Sequence, residues 1–131
     1  MASEELDAMI EMMRSMSVIT GDIDSDRTAI PIGAPMPDDI DHEMIDVGEA
    51  TAAWLTVDAA TDTAILYLHG GGYVLGGLGT HGAMGDRLRA ATGLPVLVLD
   101  YRLGPEHTHP AALDDALAAV DWLNERGIGT D

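Results

Sequence analysis

Apolar residues recur at helical spacing at Leu6, Met9, Ile10, Met13 and Met16, which predicts an amphipathic helix over residues 4 to 17. Glu4, Glu5, Asp7 and Glu11 fall in its early turns, where the helix dipole favours them. The methionine stripe reads as core packing, although a flexible thioether face also suits the wall of an adaptable pocket. Periodicity is lost from residue 20 to 41, where Pro31, Pro35 and Pro37 alternate with acids, and the expectation is an irregular linker or mobile flap. From residue 42 short apolar runs return. Met44 to Val47 and Ala52 to Val57 predict a hairpin turning at Gly48 to Thr51. Ala64 to Leu68 and Val96 to Leu99 are unbroken apolar runs, the pattern of parallel strands covered on both faces. Between them Thr80 is the expected cap of a helix through Ala91 that buries Met84, Leu88 and Ala91 and stops at Gly93 and Pro95. Pro110 opens a last helix, with Ala111, Leu113, Leu117, Val120 and Trp122 apolar, ending near Gly127. The order β, β, β, α, β, α predicts an α/β layered sheet with helices on both faces and right-handed crossovers.

A chain of 131 residues and 13.8 kDa has room for one modest core. The 47% hydrophobic share excludes wholesale disorder, although 23 acids face only 6 bases. The net charge of −17 argues against nucleic acid and anionic lipid as partners. All six bases are Arg and Asp outnumbers Glu by 16 to 7, a balance suited to a halophilic cytoplasm. The absence of Cys removes disulfides, thiolate nucleophiles and thiolate metal ligands. Glu4 and Glu5 stand where a leader would be basic, and no apolar run reaches the roughly 20 residues of a membrane span, so a soluble cytoplasmic protein is expected.

Chemistry concentrates in His69-Gly70-Gly71-Gly72-Tyr73, directly after the strand Ala64 to Leu68. Three consecutive glycines cost folding entropy, and their amides can turn outward toward an anion, as in an oxyanion hole or phosphate nest. His69 is expected to fix this loop by hydrogen bonding. A plain tight turn needs fewer glycines. Other patterns are weaker. Asp22, Asp24 and Asp26 imitate a calcium loop, but Arg27 replaces the required Gly and Gly33 the bidentate Glu, so a solvated acidic loop is expected. His107 and His109 have no evident third metal ligand nearby, and no metal or cofactor is expected. Gly77-Leu78-Gly79-Thr80-His81-Gly82 satisfies G-x-G-x-x-G with Asp100 18 residues beyond it, a dinucleotide fingerprint misplaced because the triple glycine separates it from its strand. A Walker loop is excluded by the absence of Lys.

His69 to Gly72 resembles the HGGG oxyanion motif of α/β-hydrolase lipases and esterases. Asp100-Tyr101-Arg102-Leu103-Gly104-Pro105-Glu106-His107, followed by Pro110-Ala111-Ala112-Leu113-Asp114-Asp115, is similar to a second block of the hormone-sensitive-lipase-like carboxylesterases. Gly104 stands where that family has Ala, and Thr108-His109 where it has Pro and an aromatic. The resemblance covers residues 42 to 127. It implies the N-terminal portion of an α/β-hydrolase core over residues 42–131, preceded by a helix and cap-like acidic segment over 1–41. It also implies serine-dependent hydrolysis of small-molecule esters. Gly70 and Gly71 would donate to the oxyanion, Gly72 would permit the turn, and Tyr73 would line the acyl or alcohol pocket or simply pack. Arg102 and Glu106 are expected to brace the loop as an ion pair.

The chain contains no G-x-S-x-G, and its serines, Ser3, Ser15, Ser17 and Ser25, all precede the sheet. None of His69, His81, His107 and His109 matches the family's triad histidine, and Asp100 does not match its acid. The expectation is therefore an N-terminal fragment, inactive alone, with its nucleophile encoded beyond residue 131. In the family's strand order the Ala64 to Leu68 strand is then left with an unpaired edge. The rival readings are a non-catalytic remnant or interaction module and, less favoured, a dinucleotide-binding domain.

Overall fold

Of the two apolar runs expected to be strands covered on both faces, Val96 to Leu99 lies inside a four-stranded sheet, whereas Ala64 to Leu68 forms its edge and is only half-buried, with Leu68 48% exposed. The computed structural model describes residues 7, 8, 11, 21–30 and 33–129. Its elements are α1 (Ile23–Ala29), β1 (Glu43–Val47), β2 (Ala50–Leu55), β3 (Ile65–Leu68), α2 (Leu78–Thr92), β4 (Val96–Asp100) and α3 (Ala111–Asn124). Sheet order is β1-β2-β4-β3, with β1, β2 and β4 antiparallel in succession and β3 parallel to β4. The expected order of strands and helices holds, including the hairpin and the parallel pair.

Val96, Leu97, Val98 and Leu99 are all fully buried because a strand's side chains alternate between faces and both faces are covered. Val96 and Val98 join Met36, Ile40, Ala53, Leu55 and Leu78 in the core beneath α2. Leu97 and Leu99 join Val47, Ala50, Ala52, Ala119 and Leu123 in the core beneath α3, where Trp54 and Trp122 meet edge to face at 5.4 Å.

Two compact units divide the chain, Met1–Ile30 and Pro31–Asp131. In the first, the stretch expected to be irregular contains α1, with Asp24 and Asp26 in the first turn where the helix dipole favours acids. Asp26 is buried, not solvated, and its carboxylate accepts the Gly21 N–H at 3.1 Å. The helix expected over residues 4 to 17 lies outside the described residues apart from Asp7, Ala8 and Glu11.

The structure revises how α2 packs. Met84 is 44% exposed and Ala91 is also exposed, while Leu78, Gly82 and Gly85 are buried. A Cβ on Gly85 would lie 2.4 Å from Val98 Cγ2, and one on Gly82 would lie 2.3 Å from Met36 Sδ. Glycine thus brings this helix close against the sheet, and an apolar periodicity count overlooks a face made of residues without side chains. Thr80 is not the cap either. Gly77 occupies that position, and Thr80 Oγ1 donates to the Gly77 carbonyl at 3.0 Å from inside the helix. At the far end Gly93 closes the helix in the left-handed conformation, φ 69°.

Candidate functional site

Parallel pairing of Leu68 with Leu99 brings the C-terminal ends of β3 and β4 to one level. The segment after β3, residues 69–77, therefore emerges beside the segment after β4, residues 101–110. A concavity of about 870 Å³ opens between them, lined by Gly70, Gly71, Gly72, Tyr73, Tyr101 and His107 among others. This is where ligands collect in open α/β sheets, at the carboxyl ends of the strands.

Each residue expected at the site has a distinct environment. His69 is 4% exposed, whereas Gly70, Gly71 and Gly72 are exposed and Tyr73 is 68% exposed. His69 Nδ1–H donates to the Gly70 carbonyl at 2.9 Å, which fixes the tautomer and leaves Nε2 buried with no hydrogen-bond partner among the described residues. The ring is stacked between Tyr101, at 4.2 Å, and His81, at 5.3 Å. The three glycines differ. Gly71 has φ +133°, and a Cβ there would lie 1.9 Å from the Leu75 carbonyl oxygen, while Gly72 is left-handed at φ +62°. Gly70 is not left-handed, and a Cβ on it would meet nothing within 4 Å.

Among the described residues no protein acceptor takes the amide of Gly70, Gly71 or Gly72, although the Gly71 carbonyl itself accepts from Val74 at 3.2 Å and Leu75 at 3.0 Å. Tyr73 follows in the left-handed region at φ 64°, a conformation that costs a non-glycine residue about 1–2 kcal/mol. Its carbonyl accepts the Gly104 N–H at 2.8 Å, and this contact helps to hold it there.

Beside the loop, Asp100 faces the start of α2. Burial raises its pKa, opposed by the nearby His69 and by the Leu78 N–H that its carboxylate accepts. Burial likewise lowers the pKa of His81, with His69 adding to the shift and the hydrogen bond to Gly77 opposing it. Arg102 takes other partners than the expected Glu106: it pairs with buried Asp115 at 2.8 Å and with Glu49, tying the post-β4 segment to α3 and the hairpin turn. Asp115 also accepts the Arg102 backbone N–H at 2.9 Å.

The dinucleotide fingerprint fails on geometry. Cβ atoms on Gly77, Gly79 and Gly82 would lie 2.9 Å from Asp100 Oδ1, 2.5 Å from Ala34 Cβ and 2.3 Å from Met36 Sδ, so all three glycines face protein and leave no cradle for a pyrophosphate. Asp100 is engaged at the helix start. Among the described residues no three His, Asp or Glu side chains cluster as metal ligands, and no helix is long and apolar enough to cross a membrane. The contributions of Tyr101 and Asp100 to this site escaped the sequence reading. The available signal was that each chemical block follows an apolar run, because parallel strands place the residues after them side by side.

Residues 65–131, half of the chain, match the family described as alpha/beta hydrolase fold. The chain belongs to that family. Among curated hydrolases, an acetyl-hydrolase of Streptomyces hygroscopicus is 35% identical over 97% of this chain and 44% of its own length. An ethyl acetate hydrolase of Pseudomonas putida is 47% identical over 56% of this chain and 24% of its own. Among solved structures, an esterase/lipase from an uncultured bacterium superposes with a TM-score of 0.77 at 36% identity, over 97% of this chain and 45% of that one. An esterase from the bacterial hormone-sensitive lipase family gives 0.73 at 40% identity, over 98% and 45%. The chain thus spans less than half the length of these α/β hydrolases.

Proposed function

We propose that this chain supplies the oxyanion loop, and not the nucleophile, of a serine-dependent hydrolase of small carboxylic esters whose Ser, acid and His follow residue 131. The observation that carries the reading is Gly70. Among the described residues nothing demands glycine there: a Cβ on it would meet nothing within 4 Å, and the residue lines the concavity. Close approach by a molecule from outside accounts for the missing side chain.

When a serine attacks an ester carbonyl, the carbonyl oxygen becomes an oxyanion, and donors already aimed at it stabilise the transition state without reorganising. The amides of Gly70 and Gly71, joined by the amide that follows the serine, serve as those donors. His69 steadies the second of them: its Nδ1–H holds the Gly70 carbonyl, and this peptide unit also carries the Gly71 N–H. Gly72 provides the left-handed turn, and Tyr73 borders the acyl or alcohol pocket. The names of the acetyl-hydrolase and the ethyl acetate hydrolase favour short acyl groups. The open edge of β3, with Leu68 at 48% exposure, and the exposed Leu113, Leu117 and Val120 on α3 support further elements packing there.

The test is the full-length protein encoded by the reading frame, in which a strand and a G-x-S-x-G are expected within roughly 30 residues of position 131. It should label with a fluorophosphonate and hydrolyse p-nitrophenyl acetate. Gly70→Val keeps the amide but fills the open space beside it, so it should fold normally and misplace the ester enough to lose roughly 10²-fold in kcat. A protein that neither labels nor turns over supports the non-catalytic module instead.

A further inference from the structure

The Gly70 amide belongs to the same peptide unit as the His69 carbonyl, and that carbonyl accepts the buried Tyr101 hydroxyl at 2.5 Å. In a trans peptide the N–H points opposite the C=O, so whatever holds one end aims the other. We propose that Tyr101 is a positioning residue for the oxyanion loop, its hydroxyl setting the His69–Gly70 peptide plane and thereby directing the Gly70 N–H, without touching substrate. The inference rests on the oxyanion reading above and adds to it the device that orients the first donor.

Three features support the assignment. Tyr101 is 7% exposed and its ring lies against His69 with an interplanar angle of 11°, so the hydroxyl cannot swing away without unstacking. The loop is held by the same segment elsewhere: Gly104 donates to the Tyr73 carbonyl at 2.8 Å, and the Asp100 carboxylate accepts the Leu78 N–H where the loop enters α2. The arrangement also repeats in kind, because His69 Nδ1–H holds the Gly70 carbonyl at 2.9 Å and so orients the Gly71 amide. Both donors are thus held from behind by a side chain at the carbonyl end of their own peptide. A hydrogen bond to that carbonyl also polarises the amide and strengthens its N–H as a donor.

The experiment compares Tyr101→Phe with Gly70→Val in the full-length protein, using p-nitrophenyl acetate and a trifluoromethyl ketone that forms an anionic tetrahedral adduct. Tyr101→Phe keeps the stacked ring and removes only the hydroxyl. The expected result is a loss of roughly ten-fold in kcat with KM nearly unchanged, smaller than for a deleted donor because the amide remains but is poorly aimed. Affinity for the ketone should fall by the same factor, and 4-aminophenylalanine at position 101, which restores a donor, should recover both. If Gly70→Val abolishes turnover while Tyr101→Phe leaves kcat and ketone affinity intact, the positioning role is wrong and the oxyanion reading stands. If Gly70→Val is itself harmless, the oxyanion reading has failed. Should Tyr101→Phe unfold at assay temperature, the aminophenylalanine protein decides: wild-type kcat supports the proposal, and a folded protein with kcat still depressed overturns it.

Discussion

Two sets of glycines in this chain use the absence of a side chain in opposite directions. Gly79, Gly82 and Gly85 turn their bare Cα atoms inward, so that α2 closes on Ala34, Met36 and Val98. Gly70 turns the same absence outward to an open concavity. Composition treats them alike, and the dinucleotide fingerprint even takes in Gly79 and Gly82, with Gly77, as ligand-binding residues. The difference shows that a glycine-rich pattern identifies a site only where the missing Cβ faces something other than the protein.

The largest effect expected from breaking this contrast is on turnover. Gly71→Val sets a branched side chain against the Leu75 carbonyl and should rebuild the loop while the sheet remains folded. In steady-state assays of the full-length enzyme, kcat should fall roughly 10²- to 10³-fold, about 3–4 kcal/mol, with KM rising far less. Near-normal turnover in a folded variant would reduce the loop to a turn.

The inward set should respond in stability. Gly85→Ala drives a methyl into Val98, a β-branched residue held in β4, and overpacking of about 1–3 kcal/mol exceeds the gain of about 1 kcal/mol in helix propensity. Chemical denaturation should show a net loss of up to about 2 kcal/mol with kcat retained. Gly82→Ala meets the flexible end of Met36 and should cost less than about 0.5 kcal/mol. Equal losses at both positions would mean that α2 shifts as a body.

A smaller effect comes from Asp100, which sits where a side chain on Gly77 would be. Burial raises its folded-state pKa, so its contribution to stability is present below the unfolded-state value and is lost as pH rises through the folded one. Asp100→Asn keeps an oxygen for the Leu78 N–H without the charge. The variant should therefore gain stability relative to wild type as pH is raised from about 3 to 7 in parallel denaturation series. The reverse trend would show that the carboxylate's bond to the helix start outweighs its burial. Salt acts on both glycine sets alike: with 23 acids against 6 arginines, Tm should rise between 0.1 and 1 M potassium chloride as the screening length falls from about 10 to about 3 Å. A flat or falling Tm would remove the halophilic reading.

The order of strands and helices, the two-sided burial of β4 and the place of His69 to Tyr73 after β3 were all legible in the chain. Each depends on a periodicity or a run of neighbouring residues, and local sterics act over that distance. The end of α2 at Gly93 was legible for the same reason. Other features needed the fold: the buried glycine face of α2, Asp100 at its first turn in place of Thr80, and Asp115 and Glu49 rather than Glu106 as partners of Arg102. So did the Tyr101 hydroxyl, which reaches a carbonyl 32 residues away. The α1 helix belongs with them, since seven residues are too few to signal a helix by propensity alone. Such contacts join positions whose separation along the chain carries no record of their nearness, and only the pairing of β3 with β4 brings the two chemical blocks together.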